Sequence, residues 1–314
     1  METMSAASRA GNDRLSGLPD CLLHNVLSSL RSRQVVQTCL LSRRWRHLWR
    51  SVPCLDVDQR DFLLIEPEPE EPGHGASDVD RHVYRKAGDE WFEKTMKRKR
   101  SFEDFADAVL PLNGAWPLDA YRLHVADRFL HKDSYRWIRR GLARLPKELR
   151  VVYGHRSEDI DASFPFDFVS GGAGALSVTS RLRRLHLSGW TISNEFAEEL
   201  KSGCPVLEDL ELIKCEYDYK FSGLIASRSL KRLHVQGLNN SYSSFSSLDP
   251  LAVPALSSLN LDKVILPDSE VELQSLAVAS ITEPYKYAGG CRFLKSLRNA
   301  RVLQLRSFAT RRYV

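Results

Sequence analysis

The chain has no long apolar run: no stretch of its 314 residues approaches the ~18–20 consecutive apolar side chains that a membrane-spanning helix needs. Met1–Arg14 has no apolar segment of the secretory kind, so no export leader is expected there. The six cysteines are scattered, without a single Cys-x-x-Cys pair. In a chain without an export leader they read as reduced, packed thiols rather than a disulfide frame, which places it in cytoplasm or nucleus. The nine histidines fall at no metal-ligand spacing. Gly-x-Ser-x-Gly, His-Glu-x-x-His and P-loop motifs are also missing, so no catalytic residue, metal or cofactor is expected. Gly171-Gly172-Ala173-Gly174 lacks the third glycine of a dinucleotide fingerprint and reads as a loop.

What is present is ordinary globular material, 43% apolar and 27% charged, in a length that suggests about two domains. The net charge of +5 is concentrated. Between Asp13 and Ser51 seven arginines (Arg14, Arg31, Arg33, Arg43, Arg44, Arg46 and Arg50) face only Asp13 and Asp20, an excess equal to that of the whole chain. A nucleic-acid binder more often spreads its basic footprint over its folded body. A local acidic protein partner fits better, and neither nucleic acid nor membrane is expected as a partner.

Composition divides the chain into four regions. Residues 1–12 are small and polar and are expected to be disordered. Residues 13–53 read as three short helices. Leu18, Leu22, Leu23, Val26, Leu27 and Leu30 recur at helical spacing behind Pro19. A second helix is expected around Gln34–Leu40. A third is expected from Ser42 as N-cap, aligning Leu41, Trp45, Leu48 and Trp49. So small a unit encloses little core, yet it carries two tryptophans and many leucines. Either it docks on the rest of the chain, or part of its apolar face belongs to another protein.

Residues 54–117 read as a linker region. They hold the acidic, proline-rich loop Glu66–Gly75, the basic run Lys97-Arg98-Lys99-Arg100 and an amphipathic helix marked by Phe102, Phe105, Ala106, Val109 and Leu112. The basic run fits a nuclear import signal or a solvated charge run.

From residue 118 to 314 the chain repeats itself. The frame Leu-x-x-Leu-x-Leu occurs as Leu182/Leu185/Leu187, Leu207/Leu210/Leu212, Leu230/Leu233/Val235, Leu256/Leu259/Leu261 and Leu273/Leu276/Val278. A weaker copy has Ala300, Leu303 and Leu305, and degenerate ones surround Leu118–Val125 and Leu149–Val151. A period of ~20–29 residues with this frame is that of leucine-rich repeats. The Leu-x-Leu alternation makes a short strand with one buried face, and the residues between return the chain, as Ile192–Leu200 does best. No unit can bury its leucines alone, so the units stack into a parallel-strand solenoid. The expected fold class is therefore α plus α/β: a small N-terminal three-helix unit followed by a leucine-rich-repeat solenoid.

Positions 1, 4 and 6 of the frame point inward, which leaves positions 3 and 5 on the concave face. These are Arg184 and His186, Asp209 and Glu211, Arg232 and His234, Ser258 and Asn260, then Ser275 and Ala277. They form either a binding face for a protein substrate or, through Arg184, Asp209 and Arg232, a set of cross-strand ion pairs that satisfy one another.

Residues 13–53 resemble an F-box of the plant type. The carrying features are Leu18-Pro19, Leu22, Val26-Leu27, Val35-Val36, Leu41-Ser42-Arg43-Arg44-Trp45 and Leu48-Trp49. With the Leu-Arg-Arg-Leu-x-Leu repeat at Leu182 and the Gly-Cys-Pro-x-Leu-Glu-x-Leu-x-Leu-x-x-Cys repeat at Gly203, the chain is similar to plant F-box/leucine-rich-repeat proteins, including those with an FBD-type region. The resemblance implies a non-catalytic substrate receptor of an SCF (Skp–cullin–F-box) ubiquitin ligase. Leu18, Pro19, Leu22, Val26, Leu27, Val35, Val36 and Trp45 would then contact the Skp-type adaptor, and through it cullin, while the repeats recruit a protein target. Leu48 and Trp49 would serve as contact or as core. Family members usually continue beyond the position of Val314, so a shortened repeat domain is expected, and with it the alternative of a non-degradative interaction scaffold.

Overall fold

The computed structural model describes residues 17–63, 69–73, 75, 77–126, 131–154, 180–217, 225–237, 251–264, 266, 269–282 and 291–306. Residues 1–12 and the glycine-rich stretch at 171–174 lie outside them.

The chain opens with α1 (Asp20–Leu27), with Pro19 at its N-cap, and α2 (Ser32–Gln37), which runs on as a 3-10 turn at Thr38–Leu40. The third helix is shorter than its leucine and tryptophan spacing predicts: α3 covers only Trp45–Leu48, its N-cap is Arg44 rather than Ser42, and a 3-10 turn at Trp49–Ser51 ends it. Leu41 falls outside this helix and is exposed.

Nine parallel strands then form one sheet in chain order: β1 (Cys54–Asp58), β2 (Ala120–Val125), β3 (Glu148–Tyr153), β4 (Arg184–Ser188), β5 (Asp209–Ile213), β6 (Arg232–Gln236), β7 (Ser258–Asp262), β8 (Val278–Thr282) and β9 (Val302–Arg306). Their register is unbroken. One line of inward side chains runs Leu55, Tyr121, Leu149, Leu185, Leu210, Leu233, Leu259 and Ala279. Two residues further along each strand a second line runs Val57, Leu123, Val151, Leu187, Leu212, Val235, Leu261 and Ile281. Every member of both lines is buried. At β9 the equivalent Leu303 and Leu305 are half exposed, because no further strand covers that edge among the described residues.

Helices α4 (Asp78–Leu112), α5 (His131–Leu142), α6 (Asn194–Gly203) and α7 (Cys291–Ser296) return the chain between strands. The longest, α4, is started by a capping box: the Ser77 hydroxyl accepts from the Asp80 amide at 3.2 Å while the Asp80 carboxylate accepts from the Ser77 amide at 3.1 Å. Its C-terminal third is anchored by Phe102, Ala106, Val109 and Leu110; Leu112, which the spacing places on the apolar face, is half exposed. Lys97 to Arg100 lie on this same helix.

Two boundaries differ from the sequence reading. The solenoid does not begin at residue 118, since β1 at Cys54–Asp58 pairs with β2 and forms the first rung. Val52, Leu55 and Val57 fill positions 1, 4 and 6 there, all buried, so the repeat starts where the helical unit ends and the supposed linker is the first return arc. The fifth leucine frame is also displaced by three residues. Val278 pairs with Ser258 and Ala279 with Leu259, so the rung is Leu276, Ala279 and Ile281. Leu273 is buried ahead of the rung, Val278 is partly exposed, and Ser275 and Ala277 leave the concave face in favour of Val278 and Ser280. Small Ala279 at an inward position made the wrong leucines look like the repeat.

Candidate functional site

The N-terminal helices divide their apolar residues sharply. Leu23, Leu27, Val35, Trp45, Leu48 and Trp49 are buried in the core that continues into the first rungs. Of the eight side chains that the resemblance assigns to an adaptor, Leu27, Val35 and Trp45 are thus turned inward and are not available to a partner. Leu18 and Val36 are partly buried against the same core, and Pro19 is exposed. Leu22 and Val26, one helical turn apart on α1, are 46% and 48% exposed. Sequence reasoning did not assign Leu40 or Leu41 to the adaptor surface, although they are 86% and 67% exposed. Four large aliphatic side chains in so small a unit therefore face solvent. Arg44 holds the segment after Leu41 to the start of α1 by donating to the Leu18 carbonyl at 2.6 Å and pairing with Asp20 at 2.5 Å.

Several arginines of the excess are engaged by the chain's own groups, while Arg14 lies outside the described residues. Arg31 pairs with Asp61 at 2.6 Å, Arg33 donates to the Asp61 carbonyl and stacks over Phe62 at 4.6 Å, and Arg50 lies over Trp49. Arg43 and Arg46 are exposed and have no such contact among the described residues. The local positive field offered to a partner is smaller than the arginine count suggests.

The helical unit is fastened to the sheet by buried polar groups. The Ser32 hydroxyl accepts from the Asp56 amide at 2.8 Å. The Asn113 side-chain amide, at the end of α4, donates to the carbonyls of Trp49 and Val52 at 3.2 and 3.1 Å, and its oxygen accepts from the Ala115 amide. Asp58 is buried; Arg60 donates to it at 2.6 Å, and nitrogens of Arg31 and His124 lie 3.4 and 3.5 Å from it. Burial alone would push the Asp58 carboxyl up; the hydrogen bonds from Arg60 and the charges of His124 and Arg60 outweigh it, and the group sits below its ordinary range.

On the concave face the eight side chains expected from positions 3 and 5 of the first four clear repeats do come together. Arg184, His186, Asp209, Glu211, Arg232, His234, Ser258 and Asn260 line one open depression of about 530 Å³, together with Glu148 and Arg150. Some pair across strands. Arg232 and Asp209 form a two-pronged pair, with 2.5 Å between their outer nitrogen and oxygen, and His186 Nδ1 lies 2.5 Å from Glu211. Arg184 turns the other way, 3.7 Å from Glu148, which Arg122 holds at 2.8 Å. Burial keeps the His186 imidazole below its ordinary pKa, and the positive charge of Arg150 adds to this against the pull of Glu211. A smaller depression of about 220 Å³, lined by Asp56, Asp58, Arg122, His124 and Arg150, adjoins it. Among the described residues no cluster of His, Cys, Asp and Glu could hold a metal ion, and no helix is long and apolar enough to cross a membrane.

Comparison with known proteins bears on both surfaces. The F-box domain family matches residues 15–56. This chain is a relative of the plant F-box/leucine-rich-repeat proteins. It is 36% identical over 285 residues to the MEIOTIC F-BOX protein MOF of Oryza sativa subsp. japonica, covering 86% of this chain and 51% of that protein. It is 31% identical over 240 residues to a putative F-box/LRR-repeat protein of Arabidopsis thaliana, covering 70% of this chain and 50% of that one. An Arabidopsis F-box/FBD/LRR-repeat protein is 26% identical over 292 residues, covering 90% of this chain and 61% of its own. The chain thus spans about half the length of the curated relatives it matches. No solved structure matches.

Proposed function

We propose that this F-box protein is a non-catalytic substrate receptor: its F-box docks on a Skp-type adaptor of an SCF ubiquitin ligase, in cytoplasm or nucleus, and its concave sheet face recruits a protein target. The observation that carries the reading is the solvent-facing set Leu22, Val26, Leu40 and Leu41 on a helical unit whose other leucines, valines and tryptophans are buried or partly buried in the core. Apolar side chains exposed in this density mark an interface more often than chance. A standard interface buries roughly 1,600 Å² in total, with a few aliphatic or aromatic anchors near its centre. The catalytic step would belong to other subunits. This chain would contribute proximity, raising the effective concentration of a target beside the ubiquitin-charged machinery.

The test is co-purification of the full chain with a Skp-type adaptor, for the wild type and for Leu22→Asp combined with Val26→Asp. The wild type is expected to bring the adaptor down and the double variant to lose it. Failure of the wild type, or equal retention by the variant, would overturn the reading.

A further inference from the structure

Arg150 stands out on the concave face because nothing among the described residues neutralises it. It is exposed in the middle of β3, and among the described residues it makes no hydrogen bond or ion pair. It also sits where the two depressions meet, lining both. Its neighbours at the same level are Arg122 on β2 and His186 on β4, each about 4.8 Å away across the sheet. The nearby carboxylates are committed elsewhere. Glu148 is shared by Arg122 and Arg184, Glu211 is taken by His186, and Asp58 by Arg60 and Arg31. Asp56 lies on β1 beyond Arg122.

This differs from the rest of the face, where Arg232 has its own carboxylate in Asp209. A guanidinium presents a planar fork of donors that matches the two oxygens of a carboxylate or phosphate. A fork with no partner among the described residues, lining a groove beside two further arginines, can receive such a group from outside. The positive charge is felt locally, since it helps hold both His124 and His186 in their neutral form.

We propose that Arg150 is the anion-holding point of the concave face, and that the peptide segment recruited there presents an acidic or phosphorylated side chain to it. This rests on the recruiting role proposed above for that face and names the chemistry of what it recruits. Arg122 and Arg184, tethered through Glu148, flank the fork and add to the field without competing for the ligand.

The experiment uses the immobilised full chain and degenerate nine-residue peptide pools whose central residue is fixed as Asp, Glu, phosphoserine, Asn or Lys. The wild type is expected to retain an anionic pool about tenfold over the Asn and Lys pools, the size of one charge-assisted contact. Arg150→Gln should erase that preference with an unchanged thermal midpoint, since the side chain has no partner to lose. Arg150→Lys, which keeps the charge but not the fork, should restore only part of it. Arg301→Gln, at an exposed position just before β9 and six strands from β3, should leave it intact. Enrichment of the phosphoserine pool alone assigns a phosphate; equal enrichment of Asp and Glu assigns a carboxylate. Retention of all pools alike, abolished by Asn260→Arg, would overturn the anion role while leaving the face a recruiting surface. Absence of binding to every pool would count against the recruiting face itself, whatever the adaptor does at the other end.

Discussion

The guanidinium of Arg31 lies 2.6 Å from the carboxylate of Asp61 and 3.4 Å from that of Asp58. Arg31 is the N-cap residue of α2, while Asp58 ends the first strand of the sheet and Asp61 follows it in a 3-10 turn. The pair therefore joins the surface proposed to meet an adaptor to the sheet proposed to hold a target. The neighbouring Ser32–Asp56 hydrogen bond and the Arg33–Phe62 stack reinforce the join from the same three-residue segment. A receptor that works by proximity gains from such a joint, because a freely hinged one would spread the target over a larger volume.

Arg31→Ala should loosen this joint more than it unfolds the protein. The Arg31 side chain is more than a third exposed, so solvent screening limits the net loss to about 1 kcal/mol. The expected outcome is a modest fall in the urea midpoint, with faster amide exchange confined to residues 17–51. A uniform rise in exchange across the sheet would contradict it.

Asn113→Ala should cost more, about 2–3 kcal/mol. It is buried, and its loss leaves the carbonyls of Trp49 and Val52 without that donor and the Ala115 amide without its acceptor. Equilibrium urea denaturation measures this directly, and a loss below 0.5 kcal/mol would show that water replaces the amide at no penalty.

The repeats were legible because two properties coincide in them. Inward positions alternate with outward ones along a strand, and leucine fills most of them. The first rung escaped notice because valine takes two of its three inward places, at Val52 and Val57, where the F-box match at residues 15–56 runs into the first strand. The fifth rung was misread because Ala279 is too small to attract attention, while Leu273 and Leu276 imitate the frame. In the F-box, helical spacing shows which residues are apolar but not which face the first rung covers. Trp45 was therefore assigned outward and Leu40 not at all. Arg150 lay in a recognised degenerate repeat, but its lack of a partner depends on how the side chains of β2, β3 and β4 share Glu148.

Gly189→Ala tests the solenoid itself. Gly189 follows β4 with φ of +75°, a region that costs an L-residue energy, and an added Cβ would fall 2.3 Å from the Tyr153 carbonyl oxygen. Strain and clash together should destabilise by more than about 2 kcal/mol, read as a lowered thermal midpoint.

Acidification should weaken the fold in two stages. His124 and His186 lie below the ordinary 6.5, chiefly through burial. Their contribution to stability is whole above pH 6.5 and is lost as pH falls through their folded values. Asp58, held below the ordinary 3.8 despite its burial, contributes stability that is present above 3.8 and lost as pH falls through its folded value. Urea unfolding from pH 8 to pH 3 should therefore show decline below 6.5 and again below 3.8. His124→Asn with His186→Asn should flatten the first stage and Asp58→Asn the second.

Trp45 and Leu22 should separate folding from docking. The resemblance puts both at the adaptor, yet Trp45 is buried in the core that also holds Leu23, Leu27 and Leu48, while Leu22 is half exposed. Trp45→Ala should therefore cost about 3–5 kcal/mol, as removal of a large core side chain does. Any loss of adaptor binding in that variant would follow from a damaged F-box. Leu22→Asp removes a side chain that is only half buried, so its unfolding free energy should stay within about 1 kcal/mol of wild type. Its adaptor binding should nevertheless fall at least as far as that of Trp45→Ala measured at a temperature where both remain folded. Calorimetry of each variant, paired with titration of the adaptor, reads the two quantities independently. A destabilised Leu22→Asp that still binds would mean that α1 turns a different face to its partner.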